Sequence, residues 1–244
     1  MEEHTTLHIP GDYQYRANYL GPVFQRFFHH QRRLLIDWLL ALRPGVRVLD
    51  AGCGSGVFAH YMASKGATVL GVDTNEDAVE FAARTFHQQA LTFWKQPMHQ
   101  ITLPNSSIDR ILLSEVLEHL SPEYLATVAA EFDRLLSPGG LLLATAPNYH
   151  SVWPLVEKLV DTMHLVPSLH EQHITKSSIA YLKRCPFNRY GVLKAVGCFN
   201  YLAPAVSLVS WRWAERVARL EFRMPIPGGL QIYGLWEKPA CSTT

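Results

Sequence analysis

Apolar residues recur at helical spacing directly after Gly21-Pro22, with gaps of three, four and seven residues between positions 23 and 42. That spacing predicts a helix with one buried stripe, and a proline suits the first helical turn. Pro44-Gly45 then interrupts the helix, and the apolar run at 46–50 predicts a short buried strand. The stripe consists of Val23, Phe24, Phe27, Phe28, Leu34, Leu35, Trp38, Leu39 and Leu42.

From residue 57 to residue 148, helical and strand patterns alternate. Asn75 and Ser121 stand where helices are capped, and Gly66 stands where one ends. The predicted helices are 57–65, 76–86 and 122–136, and the predicted strands are 46–50, 67–72, 91–94, 108–113 and 141–146. This succession is typical of an α/β fold with a doubly wound, mostly parallel sheet and helices on both faces.

Beyond residue 148 the regular alternation ends. The predicted elements are helices at 152–164, 177–184 and 205–220, a histidine-bearing loop at 169–175, and strands at 192–200 and 230–237. No internal repeat or low-complexity tract divides the 244 residues, so a single domain is expected.

Composition narrows the class of protein. Apolar residues make up 48% and charged residues 18%, which supplies a sizeable core and excludes a disordered chain. The first residues are polar and acidic, unlike a secretory signal, and the longest apolar stretches, 141–147 and 202–211, are too short to span a bilayer. The four cysteines lack zinc or disulfide-framework spacing, which favours a reducing interior. We therefore expect a cytoplasmic protein.

The net charge of +1 hides a separation of charge along the chain. Residues 48–148 carry 5 basic and 11 acidic residues, a balance of −6, whereas residues 176–244 carry 10 and 3, a balance of +7. A basic end favours an anionic partner or a membrane surface, and a solvated basic exterior is the alternative. Residues 202–220 combine apolar residues with three arginines, which fits either peripheral contact with the inner face of a membrane or a helix packed on its own sheet.

The most informative segment is 48–56, which reads Val-Leu-Asp-Ala-Gly-Cys-Gly-Ser-Gly. A strand is predicted to end here and a helix to begin. Glycines let the main chain approach a ligand closely, and doubly wound sheets bind ligands at the carboxyl end of the first strand. Twenty-one residues after Gly52, the next strand leads to Asp73, whose carboxylate can accept hydrogen bonds from both ribose hydroxyls. The segment therefore predicts a nucleoside-binding loop.

The spacing of the loop discriminates between nucleoside ligands. It is G-x-G-x-G rather than the G-x-G-x-x-G of dinucleotide-binding loops, and Asp50 precedes it. A carboxylate at that point would repel a pyrophosphate but could orient an ammonium group. The loop therefore favours S-adenosylmethionine, with its amino-acid moiety and positive sulfonium, over NAD or a nucleoside phosphate.

Segments 48–56, 72–73, 109–120 and 136–148 resemble the ordered motifs of class I S-adenosylmethionine-dependent methyltransferases. Within that superfamily, Ser-Glu-Val-Leu-Glu-His-Leu at 114–120 is similar to the branch with ubiquinone-pathway O-methyltransferases and small-RNA 3′-end methyltransferases. The resemblance covers about residues 30–150 well and the remainder thinly. It implies a Rossmann-like, seven-stranded sheet whose last strand, here 230–237, runs antiparallel.

The resemblance also implies how one domain, 1–244, is organised. The expected parts are an N-terminal helical cap at 1–45, a cofactor-binding core at 46–148, a variable insert lining the acceptor site at 149–228, and the last strand and tail at 229–244. The acceptor site would thus be built from the first helix and the insert.

Carried over residue by residue, the resemblance implies that the glycine loop holds the methionine part of S-adenosylmethionine. Asp73 would bind the ribose, and Thr74 would lie beside the ribose and adenine. Many relatives place an aspartate beside the adenine where this chain has Pro97 followed by Met98, so Met98 would pack on the ring instead. The expected cofactor-binding residues are Asp50, Ala51, Gly52, Cys53, Gly54, Gly56, Asp73, Thr74, Met98 and Ser114.

A second set of residues carries acid–base or metal chemistry. Glu115, Glu118 and His119 stand at i, i+3 and i+4, which would share one face of a helical turn, and His173 lies in the histidine-bearing loop. Carboxylates and imidazoles suit Mg²⁺, Mn²⁺ or Zn²⁺, and the small-RNA methyltransferases bind a metal through a similar set. The resemblance therefore implies these four residues as ligands. The alternative is that His119 acts without a metal, as the catalytic base.

The expected reaction is in-line transfer of the methyl group to a small-molecule or lipid-linked acceptor, at a hydroxyl oxygen. His119 could remove the hydroxyl proton, because the pKa of an imidazole lies near neutrality. An RNA-end methyltransferase and a catalytically silent S-adenosylmethionine-binding module are the alternatives. Nucleic acid is not the expected partner, because no arginine-rich arm or recognised RNA module accompanies the basic tail. His4, His29 and His30 are expected at the surface.

Overall fold

The computed structural model describes residues 10–162, 173–224 and 227–240, whose strands form one seven-stranded sheet. The strands are β1 (Arg47–Ala51), β2 (Thr68–Asp73), β3 (Leu91–Lys95), β4 (Ile108–Ser114), β5 (Leu136–Pro147), β6 (Val192–Phe199) and β7 (Gln231–Glu237). Their order is β3-β2-β1-β4-β5-β7-β6, with β7 antiparallel to both neighbours and the other adjacent pairs parallel. The predicted fold class and the antiparallel last strand are therefore confirmed.

Helices cover both faces of this sheet. In chain order they are α1 (Tyr13–Tyr15), α2 (Val23–Leu39), α3 (Val57–Ser64), α4 (Glu76–Thr85), α5 (Pro122–Leu135), α6 (Trp153–Thr162), α7 (Ile179–Leu182), α8 (Ala203–Val206) and α9 (Trp211–Glu221). A π-helical turn at Arg16–Leu20 follows α1, and short 3₁₀ helices occupy Leu117–His119 and Pro186–Arg189.

Local signals in the sequence set several helix boundaries. The Asn75 side chain accepts a hydrogen bond from the amide of Ala78, and the Ser121 hydroxyl accepts one from the amide of Tyr124. These bonds satisfy donors that a helix start leaves unpaired. Gly66 follows the end of α3 and adopts the left-handed conformation, with a φ of +91°, which terminates the helix. These predicted boundaries are confirmed to within a residue or two.

The strands bury apolar side chains on both faces of the sheet. Ile111 belongs to the cluster that contains Phe132 of α5, whereas its neighbour Leu112 belongs to the cluster that contains Phe27 of α2. Consecutive strand side chains point to opposite faces, so a run of apolar residues serves both clusters. The core therefore fixes the carboxyl ends of the parallel strands, where the candidate site lies.

The predicted apolar stripe of α2 is wrong at both ends. Phe27, Leu34 and Leu35 are buried as expected, but Val23 and Phe24 in the first turn are exposed. Trp38, near the end of the helix, is exposed as well. Leu39 and Leu42 still pack against the core, so the departure at the end of the helix is confined to Trp38, whose ring stacks on Phe222.

Two further predictions about the elements need correction. The predicted helix at 205–220 is two helices, because Ser210 caps the start of α9 and accepts a hydrogen bond from the amide of Trp213. The predicted strand at 141–146 begins earlier, at Leu136, and Pro138-Gly139-Gly140 lies within β5 as an irregularity, since the pairing with β4 shifts between Leu136 and Leu141. Within the described ranges, no helix is long and apolar enough to cross a bilayer. Cys241 lies outside those ranges.

Candidate active site

The glycine loop, residues 51–56, joins the end of β1 to the start of α3. Gly52, Gly54 and Gly56 have φ angles of +73°, +50° and +76°, in the region that side chains disfavour. A β-carbon on Gly52 would lie 2.6 Å from Cγ2 of Val116, so the loop also lacks room for one. Both constraints explain why the sequence places glycines here.

Backbone hydrogen bonds hold the loop against β2. The amides of Gly52 and Cys53 both donate to the carbonyl oxygen of Val72, at 2.8 and 3.0 Å. Ala51 and Cys53 are buried beneath the loop, so their side chains contribute packing and leave the main chain facing the cleft. The loop is thus a rigid, backbone-lined surface at the carboxyl end of the first strand.

Asp73 stands at the end of β2, beside this loop. Its carboxylate accepts hydrogen bonds from the amides of Gly54 and Asn75, at 2.7 and 2.9 Å. Burial raises the pKa of Asp73, and these backbone hydrogen bonds oppose the rise. Thr74, the next residue, is exposed. Asp73 and Thr74 thus stand side by side at the edge of the loop, and their contact with a ribose stays a prediction.

Asp50 lies at the end of β1, buried under the start of α3. Within the described chain, its Oδ2 atom has no hydrogen-bond partner. Burial raises the pKa of Asp50 to about 7, although a hydrogen bond from the amide of Ala59 opposes the rise. A buried carboxyl with an unsatisfied oxygen is costly, and a bound cation would relieve that cost.

Arg32 of α2 is a functional candidate that the sequence reasoning missed. Its side chain is buried, with the guanidinium carbon 5.5 Å from the centre of the Phe58 ring in the first turn of α3. Its Nε atom has no hydrogen-bond partner among the residues that the structure describes. Burial lowers the pKa of Arg32, whereas the nearby charges of Glu115 and Glu118 raise it. Arg32 therefore lies between the glycine loop and the acidic residues that follow β4.

The two adjacent histidines of α2 are not the surface residues that we predicted. His29 contacts the guanidinium of Arg32, and burial, together with Arg32 and Arg33, lowers its pKa well below the ordinary value. His30 lies 2.9 Å from a carboxylate oxygen of Glu215 in α9. His30 thus faces α9, whereas His29 lies against Arg32 on its own helix. His4 lies outside the described residues.

Met98 and Ser114 are buried on either side of the loop's entrance. The Met98 Cε atom lies 3.7 Å from the position that a β-carbon of Gly52 would take. The Ser114 hydroxyl, at the end of β4, lies 3.2 Å from the hydroxyl of Thr145. Met98 therefore lies next to the glycine loop, and its packing on an adenine ring stays a prediction.

Glu115 does not share a helical face with Glu118 and His119, so that prediction is wrong. Its φ is +55°, and the chain continues into the short 3₁₀ helix Leu117–His119. The Glu115 carboxylate accepts hydrogen bonds from the hydroxyl of Thr145 at 2.8 Å and from the amide of Gln231 at 2.5 Å. The left-handed turn directs this side chain along the ends of β5 and β7.

Glu118, His119 and His173 form one group. Each offers one ligand-type atom, and these atoms lie within 4.8 Å of one another. The rings of the two histidines are 5.2 Å apart. Burial and the charge of Glu115 raise the pKa of Glu118 well above its ordinary value. The structure thus brings three of the four predicted ligands together and leaves Glu115 outside this group.

Two further residues that the sequence reasoning missed hold His173. The Nδ1 atom of His173 lies 3.0 Å from a carboxylate oxygen of Glu157 and 2.7 Å from the hydroxyl of Tyr149. Glu157 is buried on α6 and also accepts a hydrogen bond from Tyr149, at 2.9 Å. No signal in the sequence singles out this glutamate, because Lys158 and Asp161 also interrupt the apolar pattern of the helix. The remainder of the histidine-bearing loop, 169–172, lies outside the described residues.

A chain of side-chain amides links Glu115 to α2. The amide nitrogen of Gln231 donates to Glu115, that of Asn200 donates to Gln231, and that of Gln31 donates to Asn200. Asn200, with a φ of +61°, adopts the left-handed conformation, like Glu115. These bonds fix the ends of β4, β6 and β7 relative to the helix that carries Arg32.

The N-terminal turn, residues 13–20, covers the glycine loop. The amide of Tyr15 donates to the hydroxyl of Ser55 at 2.8 Å, and the Gln14 amide group lies directly against Gly54. The Tyr15 ring packs edge-on against Phe81 of α4, with the ring centres 5.4 Å apart. The cleft is therefore bounded by this turn, α2, the glycine loop and the group after β4.

The residues that line the cleft form two groups, one on each side of it. The cofactor side consists of Arg32, Asp50, the glycine loop and Asp73, and it offers buried groups of both charges beside exposed backbone. The acceptor side consists of Glu118, His119, His173 and Glu157, and it offers carboxylates and imidazoles. The first can bind a zwitterion and a ribose, and the second can move a proton or hold a metal ion.

A family model described as a methyltransferase domain matches residues 49–144, from β1 to β5. The chain is 31% identical to the cyclopropane-fatty-acyl-phospholipid synthase of Escherichia coli (strain K12) over 157 residues, which are 62% of this chain and 40% of that protein. It is 36% identical to the ubiquinone biosynthesis O-methyltransferase of Caulobacter sp. (strain K31) over 109 residues, 43% of this chain and 42% of that protein. The matches thus span about two fifths of the length of these curated relatives.

A solved structure extends the likeness to nearly the whole chain. The crystal structure of a SAM-dependent methyltransferase from Archaeoglobus fulgidus superposes with a TM-score of 0.63 at 20% sequence identity. The alignment covers 93% of this chain and 99% of that one. At this identity the likeness establishes the fold.

Proposed function

Because residues 49–144 form a domain of the class I S-adenosylmethionine-dependent methyltransferase superfamily, we propose that the protein transfers a methyl group from S-adenosylmethionine to an acceptor hydroxyl. The acceptor is a small or lipid-linked molecule. Relatives named for a phospholipid product and for ubiquinone biosynthesis support this class of acceptor.

The observation that carries the proposal is a pair of buried, opposite charges beside the glycine loop. Asp50 has an unpartnered Oδ2 atom and Arg32 an unpartnered Nε atom among the described residues. Both flank the first turn of α3, where Arg32 lies over Phe58 and Asp50 accepts from the amide of Ala59. The methionine part of the cofactor carries an ammonium and a carboxylate, so Asp50 binds the first and Arg32 the second. A pyrophosphate would satisfy only Arg32.

The rest of the cofactor follows the carboxyl edge of the sheet. The glycine loop lies along the methionine part, Asp73 accepts hydrogen bonds from the ribose, and Thr74 lies beside it. Met98 packs on the adenine, and Ser114 supports the far wall of the cleft. This places the sulfonium methyl group toward the residues that follow β4.

His119 is the proposed catalytic base. The acceptor oxygen forms a bond to the methyl carbon as the sulfur–carbon bond breaks, and the sulfur keeps the electron pair. The hydroxyl proton passes to the His119 imidazole, and S-adenosylhomocysteine leaves. Because the sulfonium is already an activated donor, alignment of the acceptor with the sulfur–methyl axis supplies much of the acceleration.

The alternative proposal is a divalent metal with Glu118, His119 and His173 as its ligands, in which case His119 holds the ion and does not act as the base. The donor set fits Mg²⁺, Mn²⁺ or Zn²⁺, since a carboxylate and two imidazoles converge and the buried Oε2 atom of Glu118 has no hydrogen-bond partner within the described chain. Such an ion would lower the pKa of a bound hydroxyl. Glu157 would then fix His173 through its Nδ1 atom.

The first test is the cofactor itself. Titration calorimetry should show binding of S-adenosylmethionine and none of NAD. Arg32→Gln should weaken that binding by about a hundredfold, since the lost contact is a charge-assisted hydrogen bond in a buried site. Arg33→Gln is the matched control, because the Arg33 guanidinium lies over the rings of Tyr19 and Tyr61 instead. Equal losses in both variants, or binding of NAD, would contradict the proposal.

The second test is turnover. A methyl-labelled cofactor incubated with lipid, phenol and RNA extracts should label a lipid or phenol, and the same reactions with a chelator would report on the metal. Label in RNA would favour an RNA-end methyltransferase. Binding of the cofactor without any labelled product would favour a catalytically silent binding module. Peripheral membrane contact through residues 202–220 and a cytoplasmic location remain predictions.

A further inference from the structure

Helix α6 buries a glutamate and exposes several large apolar residues. Its one buried glutamate, Glu157, faces inward to His173, whereas Val152, just before the helix, Leu155 and Leu159 are 58%, 70% and 59% exposed. These three positions are spaced by three and four residues, so they share one outward face. An ordinary surface helix buries its apolar side and exposes its polar side. The outward face of α6 therefore needs an apolar environment beyond the protein.

The start of α2 continues this apolar surface. Leu20, Val23 and Phe24 are exposed, although they open the most regular apolar pattern in the chain. Phe28, one helical turn after Phe24, stacks on Trp153 of α6 with the rings 6.3 Å apart. The exposed first turn of α2 therefore lies next to α6.

The turn between α8 and α9 provides the third part of the exposed apolar surface. Leu208, Val209 and Trp213 are exposed, Val209 to 92%. Because Trp211 packs on Phe27, with the ring centres 4.8 Å apart, this turn lies on the other side of the start of α2. The three segments thus surround the same end of α2, close to the acceptor side.

Exposed arginines accompany this third part. Arg212 and Arg216 lie in the first turns of α9, and the Arg216 guanidinium lies 4.7 Å from the centre of the Trp213 ring. An apolar surface with tryptophan and arginine at its border is what an anionic bilayer interface attracts. Two copies of this surface facing each other would oppose like charges, which disfavours a dimer.

We propose that these three segments, here called the apolar rim, dock the protein on a membrane that contains anionic phospholipid, so that a lipid acceptor reaches His119 directly from the bilayer. This inference rests on the proposed function for the identity of the acceptor as a lipid. It extends the surface predicted from residues 202–220 to α6 and the start of α2, which flank the cleft.

Vesicle sedimentation tests the docking. The full chain should bind vesicles of phosphatidylcholine with about one third phosphatidylglycerol more tightly than vesicles of phosphatidylcholine alone. Leu155→Ser/Leu159→Ser should reduce the affinity at least about tenfold, because two apolar side chains no longer enter the interface. Arg212→Gln/Arg216→Gln should reduce binding to the anionic vesicles about fivefold per arginine and leave binding to the neutral ones unchanged.

Val192→Ser is the control for an exposed apolar side chain. Val192 is 57% exposed, but it lies at the start of β6, away from the rim. Equal losses in the control and the α6 variant would overturn the proposal, as would a wild-type chain that binds neither vesicle. Light scattering that shows a dimer, lost in the α6 variant, would assign the rim to self-association instead.

Calorimetry separates this inference from the proposed function. The rim variants should keep the wild-type affinity for S-adenosylmethionine, because none of the substituted residues contacts the cofactor side. A wild-type chain that binds vesicles but no S-adenosylmethionine would overturn the function and leave the docking intact. The reverse result would overturn the docking alone.

Discussion

On the cofactor side, Asp50, the glycine loop and Asp73 come from one β-α-β unit, and only Arg32 arrives from elsewhere in the chain. On the acceptor side, Glu118 and His119 follow β4, Glu157 comes from α6, and His173 precedes α7. The first side is therefore built by consecutive strand ends that the core fixes, whereas the second is assembled from segments that lie far apart in the chain. We therefore expect the cofactor side to carry the chemistry that is common to the superfamily, and the acceptor side to determine which acceptor is selected.

Replacement of the proposed base should produce the largest effect and should separate the two sides most clearly. His119→Ala should lower the rate of methyl transfer by about 10² to 10⁴-fold, as expected for loss of a general base. Calorimetry should show an unchanged affinity for S-adenosylmethionine. His99→Ala is the control, since His99 is a half-buried histidine whose ring contacts Tyr124 instead. A fully active His119→Ala variant would remove this residue from the site.

Asp73→Ala should have the second largest effect, on the cofactor side. Loss of the ribose hydrogen bonds to a charged carboxylate should weaken cofactor binding about a hundredfold. The exposed neighbour Glu80→Ala on α4 is the control. Wild-type affinity in the Asp73 variant would mean that the ribose lies elsewhere and that Asp73 does not belong to the cofactor side.

Glu157→Gln tests whether α6 belongs to the acceptor side. The glutamine keeps the size of the side chain but removes the charge beside His173, so transfer should fall about 10 to 100-fold. Cofactor affinity should stay at the wild-type value. A parallel loss of cofactor affinity would show that the two sides are not independent.

The smallest expected effect concerns pH. Burial raises the pKa of Asp50 to about 7, and the ammonium group of the cofactor binds the ionised carboxylate. Cofactor affinity should therefore fall about tenfold from pH 8 to pH 6, because the ionised fraction falls by that factor. Asp50→Asn should bind weakly at both pH values. A slope that survives in this variant would point to another titrating group.

The same residue links binding to stability. A carboxyl whose pKa is raised on folding binds more protons in the folded state than in the unfolded state. Asp50 therefore does not lower the free energy of unfolding at low pH, but lowers it increasingly as the pH rises from about 4 to 7. Asp50→Asn should therefore raise the free energy of unfolding of the ligand-free protein at pH 8, by up to about 4 kcal/mol. Denaturant titration measures this difference.

The cofactor side could be predicted from the sequence because its geometry is local. Three glycines in positive-φ positions, a strand on each side and a carboxylate at the next strand end are all adjacent in the chain. The parallel sheet then forces these strand ends to one edge. Arg32 escaped prediction because its contact with Phe58 depends on how α2 crosses the sheet, which helical periodicity does not specify.

The acceptor side was predicted in residue types but only partly in geometry. Glu118, His119 and His173 meet as expected, although the helical turn from Glu115 does not form. The positive φ of Glu115 is stabilised by Thr145 and Gln231, two partners far away in the sequence. Glu157 escaped prediction because the sequence of α6 does not show that the glutamate is buried while Leu155 and Leu159 are exposed.

The N-terminal turn, residues 13–20, bears on the rate at which the cofactor is exchanged. Tyr15 and Gln14 close over the glycine loop, and Tyr15 is anchored to Ser55 and Phe81. If the cofactor binds along the glycine loop as proposed, its exchange requires these contacts to break. The rate of exchange would then depend on a few residues before the first long helix, separately from the rate of transfer at His119.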